Sequence, residues 1–217
     1  MTTRIAVLAS GRGSNLQAVL DAITTGQLDA VIVGVFSDNP DAPALQRVAP
    51  ALRWASRPRE HADRSAYETT LGDAVAACQP DWILCAGYMR ILGAGIVDRF
   101  AGRMINIHPS LLPRHKGLHT HQQALDAGDA EHGASVHLVT AELDAGAVLA
   151  QARVPVLPGD DAEALAARVL AVEHPLLVAT LALVCAGRLT EQQGKPCLDG
   201  HTLFNPLTLD SAGRLHA

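Results

Sequence analysis

The sequence predicts an α/β fold: a mostly parallel, twisted sheet flanked by helices, with an antiparallel hairpin towards the C-terminus. Three observations support this. Short continuous apolar runs at residues 4–9, 30–36 and 82–86 fit strands buried on both faces. Stretches of helical periodicity separate these runs, and that alternation builds a parallel sheet wound on both sides. Beyond Pro113 the pattern changes. Residues 134–139 alternate as a half-buried strand does, residues 147–156 read as another strand, and the two pair most simply as a hairpin.

Taken in order, the first strand at 4–9 runs into Ser-Gly-Arg-Gly-Ser-Asn. Leu16, Val19, Leu20 and Ile23 follow at helical spacing, and Gly26 closes the helix. The second strand ends at Ser-Asp-Asn-Pro, and a short helix is expected over 43–49. Another helix starts near Asp63-Arg64-Ser65, with Tyr67, Leu71, Ala74 and Val75 on its apolar side. After the third strand, Gly87-Tyr-Met-Arg-Ile-Leu92 is expected to turn into a helix ending near Phe100. Residues 103–107 form the next strand, and 119–127 a helix closed by Gly128. Pro158-Gly-Asp-Asp161 caps a long helix running to Ala186, with Pro175 as a possible kink. The segment from Lys195 is rich in Gly, Pro and polar residues and is expected to lie over the surface. No repeat or internal linker interrupts the 217 residues, which favours one continuous domain.

Composition excludes several classes. A net charge of −5 with no basic stripe argues against nucleic acid. No apolar stretch approaches the ~20 residues of a membrane span, and the N-terminus has no apolar signal core. Cys78, Cys85, Cys185 and Cys197 show no CxxC spacing, so reduced thiols in a cytoplasmic protein are expected.

The chemistry concentrates in residues 104–117, Met-Ile-Asn-Ile-His-Pro-Ser-Leu-Leu-Pro-Arg-His-Lys-Gly. Asn106 and His108 lie two apart on a strand and so point to the same side. Pro109 and Pro113 then end regular pairing. An amide can donate to an oxygen gaining negative charge, and an imidazole can exchange a proton near neutral pH. Such an imidazole needs a carboxylate partner; Asp144, in a loop closed by Gly146, competes for that place with Glu142, Asp160 and Asp161. The glycine turn offers a second site. It lacks the third glycine of a dinucleotide fingerprint, Leu16 holding that position, so a monophosphate at Gly13, Ser14 and Asn15 is the better reading. The plain alternative is a turn whose Ser14 or Asn15 merely caps the helix. No G-x-S-x-G elbow and no nucleophilic cysteine setting is present. His108, His115, His119, His121 and His137 could suggest zinc. On a helix, however, positions two apart do not share a face, and the i, i+4 pairing is absent.

These residues together resemble the folate-dependent glycinamide ribonucleotide formyltransferases of purine biosynthesis. The resemblance covers residues 4 to about 190. It rests on Gly-Arg-Gly-Ser-Asn-Leu-Gln, Gly87-Tyr-Met-Arg-Ile-Leu, Asn-Ile-His-Pro-Ser-Leu-Leu-Pro, Gly-Leu-His-Thr-His, His-Gly-Ala-Ser-Val-His and Glu-Leu-Asp-Ala-Gly. It implies a Rossmann-like formyltransferase fold over residues 1–190, with a phosphate-binding half (1–100), a catalytic and folate half (101–190), and a tail at 191–217. The implied donor is 10-formyltetrahydrofolate, with no metal. By the same resemblance Asn106 and His108 stabilise an oxyanion, and Asp144 holds His108, favours its charged form and helps relay protons. Gly13, Ser14 and Asn15 hold the substrate phosphate, and Glu173 contacts the ribose end. Arg64 lies near the glutamate tail of the folate. Met89, Arg90, Ile91 and Leu92 line its pteridine, together with Asn106 and the loop from Thr140 to Asp144.

The rivals within the resemblance are formyltetrahydrofolate deformylase, expected to carry a further N-terminal domain, and methionyl-tRNA formyltransferase, expected to carry a C-terminal domain and a basic surface. A non-catalytic nucleotide-binding module would need no Asn106, His108 and Asp144 set. The expected partners are small-molecule substrates, without nucleic acid or membrane, for a cytoplasmic monomer or weak homodimer.

Overall fold

The computed structural model describes residues 1–217. The chain forms two compact units, Met1–Asn106 with Val139–Ala141, and Ile107–Leu138 with Glu142–Ala217.

The first unit is the parallel one. It comprises β1 (Thr3–Leu8), α1 (Ser14–Thr24), β2 (Ala30–Ser37), β3 (Arg53–Ala55), α2 (Arg64–Ala77), β4 (Trp82–Cys85), α3 (Ala94–Arg99) and β5 (Met104–His108), of which Ile107 and His108 count with the second unit. Its strands run in the order β5-β4-β1-β2-β3, every neighbouring pair parallel. Leu8 pairs with Phe36 and Cys85, and Cys85 with Asn106. The carboxyl ends of four strands therefore lie in one row, and the turns that leave them emerge along one edge. Ligands of open α/β sheets bind at that edge. Ala6, Leu8, Phe36, Tyr67, Leu71, Val75, Ile83, Ile96, Val97, Phe100 and Met104 pack as one buried cluster. The Asp63 carboxylate caps α2 by accepting from the Ala66 amide at 2.8 Å, a bond typically worth about 1 kcal/mol.

The second unit holds α4 (Thr120–Asp126), β6 (Glu131–Leu138), β7 (Val148–Pro155), α5 (Ala162–Cys185), β8 (Leu189–Gln192), β9 (Lys195–Leu198), β10 (His201–Thr202), β11 (Leu207–Leu209) and β12 (Leu215–His216). β6 and β7 form the expected antiparallel hairpin, with Ser135 opposite Gln151 and an irregularity between Val136 and His137. A register irregularity of this kind re-aims the side chain beside it. Asp161 caps α5 through the Ala164 amide at 2.8 Å. At 24 residues α5 is long and apolar enough to cross a membrane by length and composition alone. Leu165, Val169, Leu176, Leu177 and Leu181 are nevertheless fully buried, and the helix packs on β6 and β7 as a core element.

The sequence reading missed several details. Residues 89–92 do not begin a helix; α3 starts only at Ala94, because side chains from α2 hold the preceding backbone. Pro43–Arg47 is a 3₁₀ turn. β3 and the five short strands after α5 were not foreseen, since segments of two to four residues leave no readable alternation. α5 runs on through Pro175 to Cys185.

Candidate active site

In the first unit, α1 begins at Ser14, with Gly13 as its N-cap at φ +71° and no side-chain cap. The capping alternative for Ser14 and Asn15 is thereby set aside. The turn's carbonyls are held from behind: the Ala44 amide donates to Gly11 O at 3.1 Å, and Arg47 Nε donates to Arg12 O at 2.9 Å. Arg47 Nη1 also donates to Gln17 Oε1 at 2.7 Å. With its carbonyls so engaged, the turn presents the amide end of a helix, the end that attracts anions. A Cβ on Gly13 would come within 2.7 Å of the Ala44 Cβ, so both conformation and space require glycine there.

The segment leaving β4 is anchored at its start by Ser10. The Ser10 amide donates to Gly87 O at 3.0 Å, and its Oγ accepts from the Met89 amide at 2.9 Å. Ser10 Oγ also donates to Asp38 Oδ1 at 2.5 Å. Tyr67 and Tyr88 hydroxyls meet at 2.7 Å, and burial pushes both phenols up, so both stay neutral. Arg90 lies over the Tyr67 ring at 5.9 Å. Leu92 is buried in the core, while Met89 and Ile91 are 63% and 55% exposed. Arg64 is not a free cation. Its Nε pairs with Glu68 at 2.7 Å, and its Nη2 donates to Ile91 O at 2.8 Å. Thr140 is exposed and Asn106 half-buried, the latter in the middle of β5, two residues before its end.

In the second unit, His108 is 6% exposed and its ring is held on both sides. Nε2 donates to His115 O at 3.0 Å, and Nδ1 lies 3.5 Å from Asp144 Oδ2. Among the four carboxylates considered from sequence, only Asp144 meets His108. Glu142 pairs with Lys116, Asp160 with Arg168, and Asp161 caps α5. The Asp144 side chain is 8% exposed and its Oδ2 accepts from the Gly117 amide at 2.9 Å. Asp144 itself sits at φ +48°, a strained backbone region for a residue with a side chain.

His137 is the residue to which the sequence assigns no catalytic partner, placing it on one face of a strand and giving it little weight as a metal ligand. The irregularity in β6 brings its Nε2 to 3.7 Å from Asp144 Oδ1, while its Nδ1 meets Leu138 O at 2.8 Å. Burial is the main force holding its pKa below the usual imidazole range, so it stays neutral beside the carboxylate. Nothing in the local sequence signals this approach.

The loop after β5 is fastened to the hairpin by buried polar groups. Ser135 Oγ donates to Ser110 O at 2.7 Å and accepts from the Leu112 amide at 3.1 Å; Gln151 Nε2 donates to Leu112 O at 2.9 Å. Farther along, His121 Nδ1 and His132 Nε2 are hydrogen-bonded at 3.1 Å, and His115 Nε2 contacts Asp129 at 2.7 Å. The His119 backbone sits at φ +58° just before α4. No group of three or more His, Cys, Asp or Glu side chains is arranged to hold a metal ion. Glu173 lies half-buried on α5.

In the first unit the pinned turn suits an anion, and in the second the carboxylate set against a buried imidazole suits proton transfer. The sequence profile of the formyl transferase family matches residues 3–181. The chain belongs to the formyl transferase family. It is 44% identical over 201 residues to phosphoribosylglycinamide formyltransferase of Escherichia coli K12, covering 92% of this chain and 95% of the relative. The solved phosphoribosylglycinamide formyltransferase of Coxiella burnetii superposes with a TM-score of 0.88 at 43% identity, covering 94% of this chain and 96% of that one. A formyltetrahydrofolate deformylase structure from Pseudomonas syringae shares the fold more distantly. It is 26% identical with a TM-score of 0.81, and the match covers 91% of this chain but 66% of that one.

Proposed function

We propose that this formyl transferase moves the formyl group of 10-formyltetrahydrofolate to the amine of 5-phosphoribosylglycinamide, giving formylglycinamide ribonucleotide and tetrahydrofolate in purine biosynthesis. The family membership and the likeness to phosphoribosylglycinamide formyltransferases support the reaction. The observation that bears most on mechanism is Asp144 against His108, on the strand that also bears Asn106.

The substrate amine attacks the formyl carbon directly, and the carbonyl oxygen becomes an oxyanion. Asn106 donates to that oxygen, and so does His108 once its Nε2 exchanges the His115 carbonyl for it; one such preorganised donor is typically worth about 3–4 kcal/mol. Asp144 orients the imidazole, stabilises its charged form, and helps pass the proton lost by the amine to the leaving N10 nitrogen. Collapse of the intermediate breaks the bond between the formyl carbon and N10. Gly13, Ser14 and Asn15 hold the phosphate, and Glu173 the ribose end. Met89, Arg90, Ile91, Leu92, Thr140 and Asp144 receive the pteridine, with Arg64 towards the glutamate tail. Residues 1–190 act as one catalytic domain and 191–217 as its tail. We further infer a cytoplasmic enzyme acting on small molecules as a monomer or weak homodimer; the net charge of −5 suits neither tRNA nor an anionic membrane.

The test is an assay of purified protein with 10-formyltetrahydrofolate, with and without the ribonucleotide. Release of tetrahydrofolate that depends on the ribonucleotide is expected. Release to water at the same rate without it would make the protein a hydrolase, and no release would make it a binding module.

A further inference from the structure

Glu68 belongs to α2 and touches neither the anion turn nor the His108 pair. Its side chain is only 14% exposed. One oxygen, Oε1, accepts both from Arg64 Nε at 2.7 Å and from the Gly93 amide at 3.0 Å. Arg64 continues the chain of bonds from Nη2 to Ile91 O at 2.8 Å. The carboxylate and its guanidinium partner thus grip the backbone on both sides of Leu92. Gly93 is shaped to this grip, for a Cβ there would collide with Glu68 Oε2. The consequence is visible in the side chains. Leu92 is driven into the core, while Met89 and Ile91 stand out as an apolar ledge. Left to itself, a short apolar loop would fold these side chains inward to shed exposed area; here the backbone is fixed so that they cannot.

We propose that Glu68 is a positioning residue for the formyl donor. By clamping Arg64 and the Gly93 amide it holds the Met89–Ile91 ledge open for the flat, apolar face of the donor's ring system, without itself touching the donor. The inference rests on the reaction proposed above. It also gives Arg64 a second task, as a strut of that ledge.

The test compares Glu68→Ala, Glu68→Asp and Glu68→Gln in the full chain by steady-state kinetics and amide hydrogen exchange. In Glu68→Ala, KM for 10-formyltetrahydrofolate should rise about tenfold, equivalent to about 1.4 kcal/mol. Its kcat and its KM for the ribonucleotide should stay within twofold, and the Gly93 amide should exchange at least tenfold faster. Glu68→Asp, too short to bridge, should behave alike and covers the case in which the alanine variant folds poorly. Glu68→Gln keeps an oxygen where both bonds end, and should restore donor KM and Gly93 protection to within twofold of the parent. Unchanged donor KM in both shortened variants overturns the proposal, as does a joint fall in kcat and rise in both KM values. A glutamine variant as impaired as the alanine one also overturns it, since charge rather than position would then matter. Failure of the unmodified protein to transfer formyl at all would refute the reaction instead and leave the exchange measurement to judge the clamp.

Discussion

Asp144 illustrates a side chain whose place costs the backbone something. Its φ of +48° and its 8% side-chain exposure are both unfavourable for an ordinary loop aspartate. The Gly117 amide and two imidazoles are what it meets in return. An asparagine can hold the same shape but offers no negative charge to an imidazolium. Asp144→Asn is therefore expected to keep its thermal midpoint within a few degrees while turnover falls about 10²–10⁴-fold, the usual range for a proton-transfer group. A loss under tenfold in kcat would remove Asp144 from the chemistry. Gly13 makes the complementary case. Gly13→Ala must strain a φ of +71° and press on Ala44, so it should raise KM for the ribonucleotide at least tenfold while donor KM stays unchanged. An unaltered ribonucleotide KM would place the phosphate elsewhere.

β6 gathers two histidines that its alternating pattern could not assign to partners. His132 is held down to about 4, first by burial and then by the neighbouring His121 and His115 imidazoles. His137 and His121 are also lowered, mainly by burial. A histidine depressed on folding takes up its proton more readily in the unfolded chain. Stability should therefore be full above about pH 6.5 and fall as pH drops from there towards 4, flattening once the folded His132 is itself protonated. Urea midpoints across that range should show the slope, and His132→Gln should make it shallower; an identical slope in the variant would assign the effect to other groups. The same elements show what could be read in advance. β5 and its Asn106 and His108 were legible because a two-residue period survives in five residues. Residues 89–92 read as a helix start in the sequence, because Tyr-Met-Arg-Ile-Leu is apolar enough for one and the Arg64–Glu68 grip comes from another element. Asp144 could be put forward as one of four carboxylates, but no spacing shows that a distant loop returns to His108.

The chain divides its stability between a parallel unit built on aliphatic strands and a hairpin unit backed by α5. Leu177 of α5 is fully buried, so Leu177→Ala should cost about 2–5 kcal/mol by chemical denaturation without changing kcat per folded molecule. A cost below 1 kcal/mol would show that α5 is not a core element. The tail contributes as well. Leu207 is fully buried, and β11 lies parallel to β7 through the Leu207–Ala150 pair. Truncation after Arg188 should thus bare a strand edge and lower both the melting temperature and the concentration at which the protein precipitates; an unchanged melting curve would make the tail dispensable. The parallel strands and the hairpin are readable because apolar runs and alternation are local, whereas strand order and the tail's pairings join distant or very short segments that carry no pattern.

Cys85 closes β4 and is buried, with its thiol pushed up to about 12 by loss of hydration. At neutral pH almost none of it is thiolate, the form that alkylating reagents attack. Cys78 is only half-buried and so more open to a reagent. The strand that leads into the Met89–Ile91 ledge thus contains its own chemical clock. Iodoacetamide should mark Cys78 early and Cys85 only when β4 lets go of its neighbours, so the lag between the two labels times the opening of that strand.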